Sequence, residues 1–152
     1  MLDLSHNALT AIKGLNNLVI RELKLQGNKI ESLAGLDQLP CLTYLDVSNN
    51  MISSLDPLRP CVHLTHLNAS SNRIEFIRQT ESLQSMSWLS HLLLADNPCA
   101  HKYLYRLRVL NRLPNINLLD DTVAIPEEKV MMEYRMLMTF LLLAHEYDYD
   151  YV

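Results

Sequence analysis

The sequence predicts an α/β solenoid with a curved parallel sheet on the concave side, irregular or 3₁₀ segments on the convex side and a helical C-terminal cap. Three observations predict this fold. A motif of the form LxLxxNxL recurs along the chain, its copies follow at a nearly constant spacing, and the pattern becomes helical after the last copy. The motif asparagines are Asn7, Asn28, Asn50, Asn72 and Asn97.

The spacing of these asparagines is 21, 22, 22 and 25 residues, which is the period of a leucine-rich repeat. Residues 39–58, LPCLTYLDVSNNMISSLDPL, form a complete unit. Leu45 and Val47 alternate with polar residues, as in a strand, and the later apolar residues are three apart, as in a 3₁₀ turn. One unit cannot bury its leucines alone, so about five units, the first incomplete, must stack within residues 1–98.

The asparagines are predicted to form a structural ladder. Each one stands where the chain leaves its strand and turns inward, so its side chain can satisfy backbone N–H and C=O groups of its own and the neighbouring unit. The last interval contains three extra residues, which predict one more helical turn on the convex side.

Residues 99–125 are predicted to form the C-terminal cap. Leu104, Leu107, Leu110 and Leu113 lie on one helical face, and Pro114 ends the helix. A cap must present polar side chains outward, and a solvated face is preferred here to a specific anion site. The cations of that face are Lys102, Arg106, Arg108 and Arg112.

A second helix is predicted from Glu127, because Pro126 suits the first helical position and acidic residues favour the first turn. Residues 136–144 are apolar on nearly all sides, which predicts burial against the cap, the convex side or a partner helix. The final residues, YDYDYV, are expected to be a frayed acidic tail. The third region is therefore residues 126–152.

Composition excludes several functional classes. Apolar residues make up 49% of the chain and the net charge is −4, so the chain is globular and has no general basic face for nucleic acid. The apolar runs are too short for a membrane span. Three scattered cysteines favour a reducing, cytoplasmic location over a disulfide framework or a zinc site.

The strand residues that alternate with the leucines are predicted to face the concave side and to contact a protein partner, since tyrosine is enriched at interface hot spots. Asp46 is expected to be solvated. His66 and His91 are neighbours without an obvious third ligand, so a pH-dependent pair is favoured over a metal site. The predicted contact residues are Glu22, Lys24, Tyr44, Asp46, His66, Asn68, His91 and Leu93.

The first unit is expected to expose a core edge, because residue 1 falls inside its strand. Leu2, Leu4, Leu9 and Ile12 would lie at that edge. We expect either that the chain is a fragment of a longer protein or that another chain covers the edge. The uncapped edge also favours self-association.

The units resemble the short, SDS22-like class of leucine-rich repeats, and YRLRVLNRLPNINLLDD resembles the C-terminal cap of that class. The resemblance covers about residues 1–125. LDLSHNALTAIKGLNNL, together with IPEEKV, also resembles the repeat segment of leucine-rich-repeat and guanylate-kinase-domain proteins. The resemblance implies a non-catalytic module that binds a protein partner through its concave face, as a cytoskeletal, ciliary or phosphatase-regulatory scaffold.

The alternative function is a targeting or regulatory segment of a larger enzyme, such as a guanylate-kinase-like protein. The chain itself is predicted not to be an enzyme and to need no cofactor. Its glycines, Gly14, Gly27 and Gly35, form no phosphate-binding loop. No nucleophile, histidine and acid occur in a pattern that the repeats leave unexplained.

Overall fold

The computed structural model of the chain describes residues 1–16, 18–131 and 134. Within these residues, seven strands form one sheet in sequence order, and the first six run parallel. The last strand pairs antiparallel with the sixth. The strands are β1 (Leu2–Asp3), β2 (Glu22–Lys24), β3 (Tyr44–Asp46), β4 (His66–Asn68), β5 (His91–Leu93), β6 (Leu118–Leu119) and β7 (Thr122–Val123).

The middle residue of each central strand points into the core. Leu23, Leu45, Leu67 and Leu92 pair with one another in register and are fully buried. Because side chains alternate along a strand, the residues on either side of these leucines face the concave surface. The sheet therefore stacks the same position of each unit into a column.

The convex side consists of irregular segments and 3₁₀ turns, as predicted. Leu36–Gln38 and Asp56–Leu58 are three residues each, whereas the next segment, Ile77–Leu83, has seven. This longer segment accommodates the three additional residues between Asn72 and Asn97, which confirms the predicted extra helical turn. A further 3₁₀ segment, Pro98–His101, leads into the cap.

The cap helix α1 spans Tyr105–Arg112, and its core-facing side differs from the prediction. Leu104 precedes the helix in a left-handed conformation, with φ of 53°, and is only half-buried. Leu110 and Leu113 are buried, as predicted, and Val109, which was not on the predicted face, is also completely buried. The left-handed residue turns the helix relative to the preceding segment, so the stripe predicted from the leucine spacing begins too early.

The strand β7 was not predicted from the sequence. Asp120 and Asp121 both adopt positive φ, 49° and 57°, and form the two-residue turn of a β6–β7 hairpin. A turn with two left-handed residues matches the twist of the flanking strands, and aspartate tolerates that conformation better than most residues. The hairpin reverses the chain after the last parallel strand.

Residues 126–131 and 134 are helical, so a second helix begins at Pro126, one residue before Glu127. The apolar stretch predicted to be buried at residues 136–144 and the acidic tail lie outside the described residues. At the other end, Leu2, Leu4 and Leu9 are partly buried and pack against the continuous core. No helix in the described ranges combines the length and apolarity that crossing a membrane requires.

Candidate protein-binding site on the concave sheet

The asparagine side chains connect the units that carry the concave strands. Asn50 Nδ2 donates to Val47 O in its own unit and to Leu25 O in the preceding one, both at 3.0 Å. Its Oδ1 accepts the backbone N–H of Ile30 at 2.9 Å. The same three contacts recur at Asn28, Asn72 and Asn97. Each amide therefore joins two units through buried backbone groups.

The first asparagine differs from the other four. Within the described part of the chain, Asn7 is exposed and donates only to Leu4 O and Ser5 O of its own turn. Asn28 and Asn50, by contrast, are 7% and 8% exposed. Asn7 thus makes the hydrogen bonds within its own turn, and among the described residues it makes none that connects two units.

A second ladder of hydroxyl groups lies directly before the strands. Thr43 Oγ1 donates to Arg21 O at 3.0 Å, and Thr65 Oγ1 donates to Thr43 O at 2.8 Å. Ser90 Oγ continues the series to Thr65 O at 3.4 Å. These hydroxyls order the start of each strand, where the first concave column begins. They could have been found from the sequence as Thr or Ser one residue before the strand positions.

The first concave column carries a continuous aromatic stripe. Tyr44, His66 and His91 pair in register on adjacent strands and are half-buried. The rings of Tyr44 and His66 have centroids 6.0 Å apart, and those of His66 and His91 are stacked at 4.1 Å with an interplanar angle of 17°. Adjacent strands are close enough for such rings to contact, so the stripe is built by the register itself.

The hydroxyl ladder holds both histidine rings in place. The Thr65 hydroxyl donates its proton to a backbone carbonyl, so its oxygen accepts from Nδ1 of His66 at 2.8 Å. Ser90 and His91 repeat this contact at 2.8 Å. Both imidazole rings are therefore held at Nδ1 by a hydroxyl group that also contacts the backbone.

Two residues of the stripe, Tyr44 and His66, have pKa values shifted in the direction that favours their neutral forms. Burial, with the charge of His91 as a second cause, lowers the pKa of His66 below 6.5. Burial also raises the pKa of Tyr44 above 10.0, with Asp46 and Glu22 adding to the shift. The Tyr44 phenol and the His66 imidazole therefore offer hydrogen-bonding and apolar contact together.

The second concave column is less available than predicted. Asp46 is 8% exposed, and its carboxylate accepts from Ser48 N at 2.9 Å, Ser48 Oγ at 2.7 Å and Asn68 Nδ2 at 3.2 Å. The prediction that Asp46 is solvated is therefore wrong. The carboxylate closes a local turn onto the residue two positions ahead, and Asn68 makes the same contacts with Ser70.

The remaining predicted contact residues surround the stripe. Glu22 is exposed, and Lys24 and Leu93 are half-buried. Glu22 stands beside Tyr44 in the first column, whereas Lys24 pairs with Asp46 in the second. The sheet thus brings all eight residues onto two adjacent columns, with Asp46 and Asn68 acting mainly as supports. In the described ranges, no group of three or more potential ligands could hold a metal ion.

The cap differs from its predicted solvated face at Arg106. Its Nε and Nη2 donate to the two carboxylate oxygens of Glu128 at 2.6 and 2.9 Å. The same guanidinium donates to Leu119 O at 3.0 Å and Val123 O at 2.9 Å. Hydrogen bonding to Glu128 raises the pKa of Arg106, and the same bond lowers that of Glu128. Arg106 is therefore a structural link between the hairpin and the second helix.

Asp120 takes over the acceptor role of the asparagines at the end of the array. Its Oδ1 accepts the backbone N–H groups of Leu94 and Ala95 at 2.7 and 2.8 Å. Its Oδ2 accepts the phenol of Tyr105 at 2.8 Å. Burial and the Asp120 carboxylate raise the pKa of Tyr105, which keeps the phenol protonated as the donor.

Taken together, the in-register parallel strands, the asparagine ladder and the cap define a leucine-rich-repeat fold. This is a class of protein whose curved sheets serve as protein-interaction surfaces. The family described as "Leucine Rich repeats (2 copies)" matches residues 20–60. The fold-class prediction is confirmed.

Several related proteins match most of this chain. Leucine-rich repeat-containing protein 23 of Xenopus tropicalis is 36% identical over 80% of this chain and 29% of its own length. U2 small nuclear ribonucleoprotein A' of Emericella nidulans is 31% identical over 78% of this chain and 51% of its own. Cilia- and flagella-associated protein 410 of Mus musculus is 32% identical, with coverages of 75% and 47%. The chain therefore spans about half or less of these relatives.

Solved structures share the same architecture. A chain of the Drosophila melanogaster SNF/U2A' complex superposes with a TM-score of 0.76 at 22% identity, covering 87% of this chain and 78% of that one. A leucine-rich-repeat protein of Leptospira interrogans gives a TM-score of 0.65 at 28% identity, covering 77% and 30%. Internalin C2 of Listeria monocytogenes gives 0.59 at 30% identity, covering 77% and 49%.

Proposed function

We propose that the chain is a non-catalytic interaction module that binds a protein partner through its concave sheet. The observation that carries this proposal is the aromatic stripe of Tyr44, His66 and His91, which lies half-exposed on a sheet whose other face is the core. Rings of this kind contribute much of the binding energy at protein interfaces when a partner excludes water from them.

The rigidity of the stripe supports the proposal. The Nδ1 atoms of His66 and His91 are held by Thr65 and Ser90, and these hydroxyls are bound to the backbone. Side chains that are already ordered lose little conformational entropy when a partner binds. The polar supports Asp46 and Asn68 stiffen the adjacent column in the same way.

The charged residues near the stripe would set the orientation of the partner. Glu22 and Lys24 lie on the same strand, and each faces the concave side from a different column. Opposite charges at the border of an interface control specificity and association rate more than affinity. A partner that presents a basic and an acidic group at this spacing would bind in one register.

The finer assignment is an SDS22-like scaffold in the cytoplasm, with a cytoskeletal, ciliary or phosphatase-regulatory role. The similarity to Cilia- and flagella-associated protein 410 supports the ciliary version of this proposal. The similarity of the fold to a chain of the SNF/U2A' complex supports the binding of a protein partner. The alternative role, as the targeting segment of a larger enzyme, stays a prediction.

The test is site-specific photo-crosslinking in extract, followed by titration of the captured protein. A photoreactive phenylalanine analogue at residue 44 should crosslink a partner that the same analogue at residue 31 does not. Glu31 is exposed and follows the asparagine turn, away from the concave columns. Crosslinking of the same protein from both positions with equal yield would contradict the proposal.

The captured partner then provides a quantitative prediction. Tyr44→Ala should weaken its binding by about 2 kcal/mol, which is the usual size of a hot-spot effect. Glu31→Ala is the matched control and should leave the affinity unchanged. Thermal unfolding of both variants should stay close to that of the parent, because Tyr44 lies outside the buried core. Equal affinities of Tyr44→Ala and the parent would show that the partner does not bind through this stripe.

A further inference from the structure

A pocket lies outside the concave sheet, between the long 3₁₀ segment Ile77–Leu83 and the cap helix α1. Its volume is about 300 Å³, at the lower end of the range for ligand pockets. Three cationic side chains and one carboxylate line it, together with an aromatic ring and an aliphatic side chain. The lining residues are Glu75, Phe76, Ile77, Arg78, Lys102 and Arg108.

The cations come from three separately anchored parts of the chain. Arg78 belongs to the 3₁₀ segment Ile77–Leu83, and its guanidinium carbon lies 4.7 Å from the centre of the Phe76 ring. Lys102 follows the 3₁₀ segment Pro98–His101, with its N–H donated to Cys99 O. Arg108 lies in the middle of α1. Their backbones are fixed before any ligand arrives.

The charge of the pocket is not balanced within the described residues. Arg78, Lys102 and Arg108 form no ion pair in that part of the chain, whereas Arg106 and Arg112 on the same cap pair with Glu128 and Glu81. Counting Glu75 against the three cations leaves a local charge of two positive units in a chain of net charge −4. The pocket is therefore locally positive, although the chain as a whole carries a net negative charge.

We propose that this pocket binds the phosphate group of a phosphorylated peptide side chain. A phosphate monoester carries about −1.5 to −2 charges at pH 7, which complements the local charge. Guanidinium groups suit phosphate because they donate two parallel hydrogen bonds, and lysine adds a point charge. The pocket is a single site with two arginines rather than a basic stripe, which favours a discrete anion over a nucleic-acid backbone.

Phe76 makes the proposal more specific. Its ring is 43% exposed and forms one wall of the pocket, next to the Arg78 guanidinium. A phosphorylated tyrosine would place its phosphate among the cations and its ring against Phe76, whereas a phosphoserine would use only the cations. We therefore expect phosphotyrosine to be the preferred side chain.

The test is fluorescence polarisation of a short labelled Gly/Ser-flanked phosphotyrosine peptide against the full chain. The competitors are the unphosphorylated peptide, the phosphoserine peptide and inorganic phosphate. Phosphotyrosine should compete best, phosphoserine less well, and the unphosphorylated peptide hardly at all. Equal competition by the unphosphorylated peptide would overturn the proposal, and equal affinity for inorganic phosphate would reduce the pocket to a free-anion site.

Charge-matched variants separate the pocket from general electrostatics. Arg108→Gln should weaken phosphopeptide binding by about tenfold or more, since hydrogen bonds to charged groups are among the stronger ones. Arg21→Gln removes the same charge from an exposed residue outside the pocket and should have little effect. Equal losses in the two variants would refute the site, provided that both show the circular dichroism spectrum and melting midpoint of the parent.

Discussion

The interior units and the C-terminal cap satisfy unpaired backbone groups with different chemistry. Between units, Asn50 both donates and accepts, because its amide meets carbonyls of its own and the preceding unit and an N–H group of the preceding unit. At the cap the two functions are divided. Asp120 only accepts, from the last N–H groups of the array, and Arg106 only donates, to the carbonyls of the hairpin.

This comparison explains why the interior is periodic and the cap is not. An amide is uncharged, so it can be repeated in a buried row without an electrostatic cost. A row of buried carboxylates or guanidiniums at the same spacing would be strongly unfavourable. Charged groups are therefore confined to the end, where Arg106 and Glu128 pair and remain about a quarter exposed.

The largest expected effect tests the interior ladder directly. Asn50→Ala should lower the free energy of unfolding by about 3 kcal/mol, because it leaves buried backbone groups of two units without partners. Asn7→Ala is the matched control and should change stability by only a few tenths of a kcal/mol, as expected for an exposed residue. Chemical denaturation of both variants measures the difference. If the two variants unfold at the same denaturant concentration, the connection between units is not what the ladder contributes.

A smaller and more local effect is expected at the cap. Arg106→Ala should cost about 2 kcal/mol, because the variant loses a charge-assisted pair and leaves Glu128 without its partner. The loss should appear first as faster hydrogen exchange at residues 122–131, with residues 44–48 unchanged. Lys129→Ala, which removes a single contact to Pro114 O, serves as the control. Uniformly faster exchange across the chain would show that the cap and the interior unfold as one unit.

The same pair gives the cap a pH dependence of its own. In the folded chain the pKa of Glu128 lies below its ordinary value of 4.5. Its contribution to stability is therefore fully present above that value and is lost as the pH falls through the lower folded pKa. The stability difference between the parent and Glu128→Gln should accordingly shrink below pH 4.5, and a constant difference would contradict the assignment.

The smallest expected effect concerns the concave stripe. His91→Gln should raise the pKa of His66, because it removes a neighbouring positive charge, but the value should stay below 6.5, since burial is the larger cause. Titration of the imidazole C–H signals by NMR measures this change. Asn68→Ala alters a polar neighbour without removing a titratable group and is the control. An unchanged His66 pKa in His91→Gln would show that the two rings are not coupled.

Much of the fold could be predicted because the sequence repeats itself. Each asparagine and leucine recurs in an equivalent position, so the strands, their register and the 3₁₀ turns follow from one unit. The cap occurs once and has no such support. Arg106 and Glu128 are 22 residues apart and meet only because the hairpin turns the chain back. No local pattern indicates that contact.

Two features that were not predicted, the burial of Asp46 and the turn before β7, are indicated by short sequence patterns. Asp46-x-Ser48 and Asn68-x-Ser70 have an Asp or Asn two residues before a serine, which is a common turn-closing arrangement, and it explains why Asp46 is buried. The paired aspartates after Leu119 are also typical of a turn with two left-handed residues. Both patterns concern backbone hydrogen bonds, which a search for apolar periodicity does not examine.

The reversed strand β7 has a consequence for how the length of this molecule can change. A unit added after residue 123 would face a strand that runs the wrong way, whereas a unit inserted between residues 72 and 97 would meet parallel neighbours on both sides. Each inserted unit would add one strand and lengthen the concave sheet by about 4.8 Å. The concave surface can therefore be lengthened by inserting units in the interior, one strand at a time, while the cap and β7 remain unchanged.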